Sequence, residues 1–495
     1  MPHRTLWSCN LKRTMNSILC SSAMILVLAP ALVGKAESER DLAKAVVRAE
    51  IAAYSERAAE VAHEIWEYAE LGYQEERSSK LLQAELAAAG FRVTPDVAGM
   101  PTAFVASFGK GKPLIGVLAE FDALPGLSQD AVPERRPRIA DAPGHACGHH
   151  LFGAGSIATA ISVSRWLKKT GTPGMIRVYG TPAEEGGAGK VYLTRAGLFS
   201  DVDAMLHWHP GDQNGVMWST MLAVKSAKFR FRGYAAHAAA SPERGRSALD
   251  GLEAMTFMVN LLREHVPQET RIHYIITRGG AAPNIVPDFA ELYLYLRHPD
   301  SNILQSLWQR ISDISEAAAS GTETKVEQEV IHGTYSLLPN ETLSTLLLEN
   351  LSEVGGVSYD EREQAFAEAL YATFEHPTSE LGKQETVQAR DDSPAPGSTD
   401  VGDVSWNVPT GGLGAASWVP GTAPHSWQAV AAGGMSIGAK GMRVASEALA
   451  MTVVDLMLDP ETIESAWQEL EAKRGSDFEY VPMLGDRDPP LNFRR

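Results

Sequence analysis

Three short apolar runs of this chain end in ionisable residues, and this pattern constrains the fold more than any other feature. The runs are PLIGVLAEFDALP at 113–125, GMIRVYGTPAEE at 174–185 and DAMLHWHPG at 203–211. Helical stretches at about 149–169 and 188–197 alternate with them, which is typical of an α/β layer with a largely buried sheet. Ligands bind at the carboxyl edge of such sheets, so we expect the ionisable residues toward the ends of these runs to share one site. These residues are Glu120, Asp122, Glu184, Glu185, His207 and His209.

The segment GHACGHH at 144–150 places a cysteine among three histidines. Thiolate and neutral imidazole are both ligands for borderline-soft metal ions, so Cys147 and His149 are candidate ligands. Because two neighbouring side chains cannot complete a site, we expect partners from the strand ends: Glu185, His209 and, as an option, Asp122. This set exceeds the needs of one tetrahedral ion, and two ions that share a ligand fit it better. A nucleophilic cysteine and a small buried hydrophobe stay open as alternatives for Cys147.

The first 36 residues are predicted to be a secretory signal peptide. Basic residues precede the apolar run ILCSSAMILVLAPALVG, and small residues favour cleavage after Ala31 or Ala36. The sequence therefore predicts a secreted or periplasmic protein without a lipid anchor and without stable membrane insertion after cleavage. An uncleaved membrane anchor is the alternative.

About 460 residues follow this leader, a length that suits two domains rather than one. The pattern predicts a catalytic domain at 37–220 and 336–465, interrupted by a small domain at 221–335 and followed by a tail at 466–495. The inserted segment has the strand–helix–strand–strand–helix–strand order of a split βαβ, ferredoxin-like unit. The net charge of −17, with no basic run, argues against nucleic-acid partners.

The adjacent acids Glu184 and Glu185 follow a buried strand. Neighbouring residues in a loop point in different directions, so one can ligate a metal while the other acts as a general base. The alternative is that both acids simply stabilise a helix N-terminus. That alternative explains why two acidic residues occur here, but not why they follow a buried strand.

Five segments together resemble the M20 metallopeptidase family: ELGYQEE, EFDALPG, GHACGHH, TPAEEGG and GSTDVGDVSW. The resemblance is strongest to the amidohydrolase branch, the aminoacylase and p-aminobenzoyl-glutamate hydrolase type, and it extends from about residue 45 to 455. It implies a two-metal α/β catalytic domain with a central, mostly parallel sheet, interrupted by a lid domain through which two chains dimerise.

The resemblance also implies individual roles. The metal ligands would be Cys147, His149, Glu185, His209 and His425, with the thiolate bridging the two ions. Glu184 would be the general base, and His237 would reach the partner subunit's site and polarise the scissile carbonyl. Asn284 and Arg297 would hold the substrate's carboxylate or oxyanion.

Some residues depart from the family pattern or have simpler interpretations. His150 stands where many relatives have Asp, and Glu120 stands where relatives often have Asp, so Glu120 receives no role. His207 is expected to be a hydrogen-bonding or core residue rather than a ligand. Asp400 and Asp403 most simply cap a helix.

The function that these residues imply is metal-dependent hydrolysis of an amide bond by metal-activated water. The expected substrate is a small N-acyl or N-aroyl amino acid with a free carboxylate, similar to p-aminobenzoyl-glutamate, and the expected ions are Mn²⁺ or Zn²⁺. A dipeptidase or carboxypeptidase of the same family is the first alternative, and a non-catalytic binding protein on the same scaffold is the second.

Overall fold

The structure is a computed structural model that describes the backbone of residues 19–494 and the side chains of residues 39–494. Residues 1–18 of the predicted leader, and the side chains of its remainder, lie outside the described residues. Among the residues that are described, no helix is both long and apolar enough to cross a membrane.

The strands of the described chain fall into two sheets. In chain order they are β1 (Arg92–Pro95), β2 (Phe104–Lys110), β3 (Leu114–Ala119), β4 (Gly174–Gly180), β5 (Ala204–Gly211), β6 (Gly215–Val216), β7 (Ala223–Arg232), β8 (Arg271–Arg278), β9 (Phe289–His298), β10 (Lys325–Thr334) and β11 (Thr410–Ala416). The larger sheet has the order β1-β2-β4-β3-β5-β11-β6, and the smaller has the order β10-β7-β9-β8.

The helices surround and connect these sheets. In chain order they are α1 (Leu19–Tyr68), α2 (Glu76–Ala88), α3 (His149–Thr170), α4 (Glu184–Gly187), α5 (Gly189–Arg195), α6 (Ala248–Leu262), α7 (Ser301–Gly321), α8 (Glu341–Val354), α9 (Glu361–Tyr371), α10 (Val401–Ser405), α11 (Trp427–Gly433), α12 (Ser436–Leu458) and α13 (Pro460–Arg474).

The four central strands of the larger sheet, β4, β3, β5 and β11, run parallel. The outer pairs β1–β2, β2–β4 and β6–β11 are antiparallel. Every residue of β3 is buried, as expected for a parallel strand that is covered on both faces. Helices α3 and α12 pack against this sheet and against each other, and α1 lies across both. The predicted α/β fold with a central, mostly parallel sheet is confirmed.

The smaller sheet is entirely antiparallel and is built from the segment between Ala223 and Thr334. Its β7-α6-β8-β9-α7-β10 order and its strand arrangement are those of the expected ferredoxin-like unit. Helix α7 begins at a cap in which Asp300 accepts hydrogen bonds from the backbone N–H groups of Asn302 and Ile303. We refer to this unit as the lid.

The end of the chain is more ordered than its sequence suggests. Helix α13 runs through the predicted boundary at 465, because Pro460 at its first turn and the buried Ile463, Ala466 and Leu470 give it a helical face. Residues 475–494 then run without helix or strand past β10 and helix α5. We refer to residues 475–494 as the strap.

Candidate metal centre

The Cys147–His149 segment turns tightly into the N-terminus of helix α3. Gly148 has a φ of 79°, and a Cβ atom there would lie 2.6 Å from Cβ of Pro210. The turn therefore needs glycine for both its backbone conformation and its close approach to β5. It places the Cys147 thiol and the His149 imidazole beside the carboxyl end of the sheet.

Two groups of three candidate ligands share the Cys147 sulfur. Cys147 meets His149 and His209 in one group, and Glu185 and His425 in the other, with the ligand atoms of each group within 4.8 Å of one another. The Cys147 Sγ lies 3.6 Å from His209 Nε2. All five residues that the resemblance implies as ligands are thus brought together, and the Cys147 sulfur belongs to both groups.

Backbone contacts orient two of the histidines. His209 donates from Nδ1 to the carbonyl of Pro210 over 2.7 Å, which leaves Nε2 with its lone pair toward Cys147. The backbone N–H of His425 donates to the carbonyl of Ala146, so the loop that carries His425 is attached to the Cys147 segment.

The geometry of the cluster fits divalent cations. His149 Nε2 lies 3.0 Å from Glu120 Oε2, and His425 Nε2 lies 3.1 Å from Glu185 Oε1. Yet among the described residues the His149, Glu120 and Glu185 atoms of these pairs have no hydrogen-bond partner in acceptable geometry. Buried polar atoms that lie close together without bonding to each other are what an ion between them requires.

Asp122 lies behind this cluster rather than in it. Its Oδ1 lies 2.8 Å from His149 Nδ1, and its Oδ2 accepts a hydrogen bond from the backbone N–H of Glu185. One carboxylate therefore orients ligands of both groups, which is the usual second role of an acid at a metal site.

The loop that carries Glu184 and Glu185 has an irregular backbone. Ala183 and Ala188 have φ values of 57° and 58°, and Glu185 has a non-helical ψ, so this turn does not have regular helix geometry. The buried Glu75 accepts hydrogen bonds from the N–H of Ala183 and from the hydroxyl of Thr102. Burial, reinforced by Asp122, raises the pKa of Glu75 to about 8. Glu75 belongs to the ELGYQEE motif but received no role from the sequence.

Glu184 lies beside the cluster, in a group with Glu120 and His149. Burial, together with the neighbouring carboxylates of Glu120 and Glu185, raises the pKa of Glu184 well above its ordinary value. A carboxyl group beside a metal cluster can take a proton and return it.

A buried lysine that the sequence did not assign lies between two carboxylates. Lys190 Nζ is 2.7 Å from Glu120 Oε1 and 2.6 Å from Asp400 Oδ1, and all three side chains are almost completely buried. The Asp400 side chain does not cap helix α10, which follows it; its second oxygen instead accepts the backbone N–H of Lys190, in the first turn of helix α5. Asp403 likewise accepts from the hydroxyl of Tyr480 and the N–H of Tyr335 rather than capping.

The remaining histidines of the two motifs are buried outside the shared-sulfur groups. His150 contacts the carbonyl of Gly433 through Nε2 over 3.1 Å. Strand β5 runs to Gly211, so His207 lies within the strand, packed against Gly412. Burial lowers the pKa of His207 to about 4, which favours a neutral core imidazole, as expected.

The three predicted residues of the lid lie apart from the cluster. His237 is exposed, its Nδ1 accepts from the N–H groups of Ala239 and Ala240, and Asn284 pairs with the neighbouring backbone. Arg297 lies on β9 and lines a cavity of about 600 Å³ between the lid and residues 394–396. Within the described chain neither His237 nor Asn284 hydrogen-bonds to a residue of the metal cluster.

The family model described as peptidase family M20/M25/M40 matches residues 117–440. The chain belongs to this family. One of the p-aminobenzoyl-glutamate hydrolase subunits of Escherichia coli (strain K12) is 39% identical, over 85% of this chain and 93% of the relative. The Xaa-Arg dipeptidase of Mus musculus is 30% identical, over 88% of this chain and 94% of the relative.

A solved structure supports the fold independently. It is a dinuclear metal-binding peptidase of the M20 family from Bacillus subtilis, with a TM-score of 0.55 at 19% identity, covering 82% of this chain and 99% of the other. The prediction of an M20-type, metal-dependent amidohydrolase is confirmed at the level of the family.

Proposed function

We propose that the chain hydrolyses the amide bond of an N-acyl or N-aroyl amino acid of the p-aminobenzoyl-glutamate kind. The observation that carries this proposal is the pair of ligand groups that share Cys147, with the carboxyl of Glu184 beside them. The 39% identity to the p-aminobenzoyl-glutamate hydrolase subunit of Escherichia coli supports the substrate class.

Cys147, His149 and His209 would hold one ion, and Cys147, Glu185 and His425 the other. Two bound divalent ions supply Lewis acidity, which polarises an amide carbonyl and activates water. The sulfur and imidazole donors suit Zn²⁺, while Mn²⁺ is the second candidate because availability as well as affinity decides metal use.

Glu184 is the residue that moves the proton. Its carboxylate would accept a proton from the attacking water and return it to the nitrogen of the leaving amine. The raised pKa of Glu184 supports both transfers, since the same group must be a base first and an acid afterwards.

His237 would act in the site of a second copy of the chain. The lid offers a surface for such a dimer: β8 is an edge strand, and its Ile275 and Ile276 are 62% and 48% exposed. Phe257 and Leu261 on helix α6 are also exposed, at 66% and 49%. A homodimer through the lid would cover these apolar side chains and the open strand edge.

Arg297 and Asn284 would hold the free carboxylate of the substrate. A guanidinium forms paired hydrogen bonds with a carboxylate, and Arg297 already lines a cavity with Arg271 and His273. The predicted leader would direct the enzyme to the periplasm or out of the cell.

A dipeptidase activity is the second candidate, because the 30% identical relative from Mus musculus is an Xaa-Arg dipeptidase. The test is to strip the protein of metal, reload it with Zn²⁺ or Mn²⁺, and measure amino-acid release from p-aminobenzoyl-glutamate, N-acyl amino acids and Xaa-Arg dipeptides. Metal-dependent turnover of the aroyl and acyl substrates supports the proposal. Turnover of the dipeptides alone would replace it with the second candidate.

A further inference from the structure

The strap reaches from the lid to the loop that carries the proposed base and a proposed ligand. Near its beginning, Met483 packs in the core of the lid, whereas Leu484 packs in the core of the catalytic sheet. The Arg487 guanidinium then donates to the carbonyls of Val330 and Ile331 on β10, and its Nε donates to the hydroxyl of Tyr192 on α5. The strap is therefore fixed to both units before it reaches the metal cluster.

The last described residues of the strap lie against the Glu184–Gly187 turn. The Arg494 guanidinium donates through Nη2 to the backbone carbonyl of Glu185. The ring of Phe493 packs edge-on against Tyr73, with ring centroids 5.7 Å apart, and the Tyr73 hydroxyl donates to the carbonyl of Gly187 over 2.7 Å. Two carbonyls of one turn thus each accept a hydrogen bond from a side chain outside it.

This turn has little regular structure of its own. The N–H of Gly187 bonds to the carbonyl of Ala183, but Glu185 and Gly186 have non-helical backbones and Ala183 and Ala188 are left-handed, so contacts from outside the turn help to hold it. Two buried acids also hold this turn: Asp122 accepts the N–H of Glu185, and Glu75 accepts the N–H of Ala183. The acids hold the N–H groups, and the strap with Tyr73 holds the carbonyls.

We infer that Arg494 is a positioning residue for the reaction, because it fixes the peptide that follows the proposed ligand Glu185, next to the proposed base Glu184. It acts through the Glu185 carbonyl and not by contact with substrate. Only the kinetic consequence of this inference rests on the proposed function, since the position of the turn can be measured without turnover.

The experiment compares Arg494→Ala and Arg494→Lys with the control Asn492→Ala, whose side chain is exposed on the same segment. The first measurement is hydrogen exchange of the amides between residues 181 and 190. The second is titration of the metal-stripped proteins with Zn²⁺, and the third is kcat and KM for a substrate of the unaltered enzyme.

We expect Arg494→Ala to raise the hydrogen-exchange rates of the Glu185 and Gly187 amides. We also expect the affinity for one of the two ions to fall by about 10–100-fold, with the affinity for the other unchanged. We expect kcat to fall while KM changes by less than about twofold. Arg494→Lys should recover part of each change, because an ammonium can donate to the same carbonyl without the planar fork. This variant also keeps the inference testable if the alanine variant folds poorly.

The inference is overturned if both Arg494 variants match Asn492→Ala in amide exchange and in the affinity of both ions. If the unaltered protein hydrolyses none of the amides, the proposed function fails, yet exchange and metal binding still decide the role of Arg494.

Discussion

The Nδ1 atom of His149 lies 2.8 Å from Oδ1 of Asp122, and both side chains are fully shielded from solvent. This contact sets the orientation of the imidazole and directs its Nε2 toward the cluster. The other Asp122 oxygen accepts the N–H of Glu185. One buried carboxylate thus links the two ligand groups that share Cys147.

Replacing Asp122 with asparagine should weaken metal binding without removing a ligand. The amide keeps the shape but loses the charge and one of the two acceptors, so we expect the affinity for at least one ion to fall by about 10–100-fold. Titration of the metal-stripped variant with Zn²⁺ measures this. An unchanged affinity for both ions would mean that Asp122 does not orient the ligands.

Removing Lys190 should destabilise the fold strongly. The change Lys190→Met leaves Glu120 and Asp400 buried without their shared cation, and we expect a loss of about 3–5 kcal/mol in the free energy of unfolding. Urea unfolding followed by tryptophan fluorescence measures this loss. Lys80→Met is the matched control, because the Lys80–Glu76 pair is exposed and such pairs contribute little. Equal unfolding curves for the two variants would contradict a structural role for the buried lysine.

Asp403 should make the protein less stable as pH rises toward neutrality. Burial raises the pKa of Asp403 to about 7 in the folded protein, whereas an unfolded aspartate has a pKa of about 3.9. Between these two values the folded state binds more protons than the unfolded state, so the free energy of unfolding decreases with rising pH.

The change Asp403→Asn should flatten that decrease between about pH 4 and pH 7. Unfolding midpoints across this range measure the effect, with Asp477→Asn on an exposed part of the strap as the control. A slope in Asp403→Asn equal to that of the control would show that Asp403 does not bind the extra proton.

A charge on the exposed face of the lid should prevent dimer formation. We expect Phe257→Glu to be monomeric by light scattering, because the glutamate would be buried unpaired against the partner. Leu42→Glu is the control, since Leu42 is equally exposed, at 67%, but lies on α1. A dimeric Phe257→Glu protein would place the interface elsewhere.

A dimer that shares its active sites should recover activity when two inactive variants are mixed. If His237 acts in the partner's site, mixing inactive Glu184→Gln chains with inactive His237→Ala chains should restore activity, because half of the mixed dimer's sites would be complete. No recovery after dissociation and reassociation would instead indicate that His237 serves its own subunit or no site.

Part of the candidate metal cluster could be predicted from a rule of sheet geometry, whereas His425 followed only from the resemblance to the family. Parallel strands end at one edge, so the acids after β3 and β4 and His209 on β5 had to meet near the Cys147 turn. The helices and strands of the lid could also be predicted, since their hydrophobic periodicity is clear. These features depend on local sequence pattern and on strand direction, and both can be inferred from the sequence.

The hydrogen bonds and ion pairs that hold the cluster in place could not be predicted in the same way. Lys190 and Asp400 are 210 positions apart, and Glu75 and Ala183 are 108 positions apart. A buried polar pair of this kind has no periodicity and depends on the final packing of distant loops. The strap is the extreme case, because Arg494 meets Glu185 across 309 positions from a segment with neither helical nor strand pattern.

The most direct test of the account is the change Glu184→Gln, measured by metal content and by turnover together. Glutamine keeps the size of the side chain but cannot accept the proton from water. The account predicts that the variant retains two ions and loses about 10²–10⁴-fold in kcat. Full activity in a variant that still holds both ions would contradict the role of Glu184 as the base.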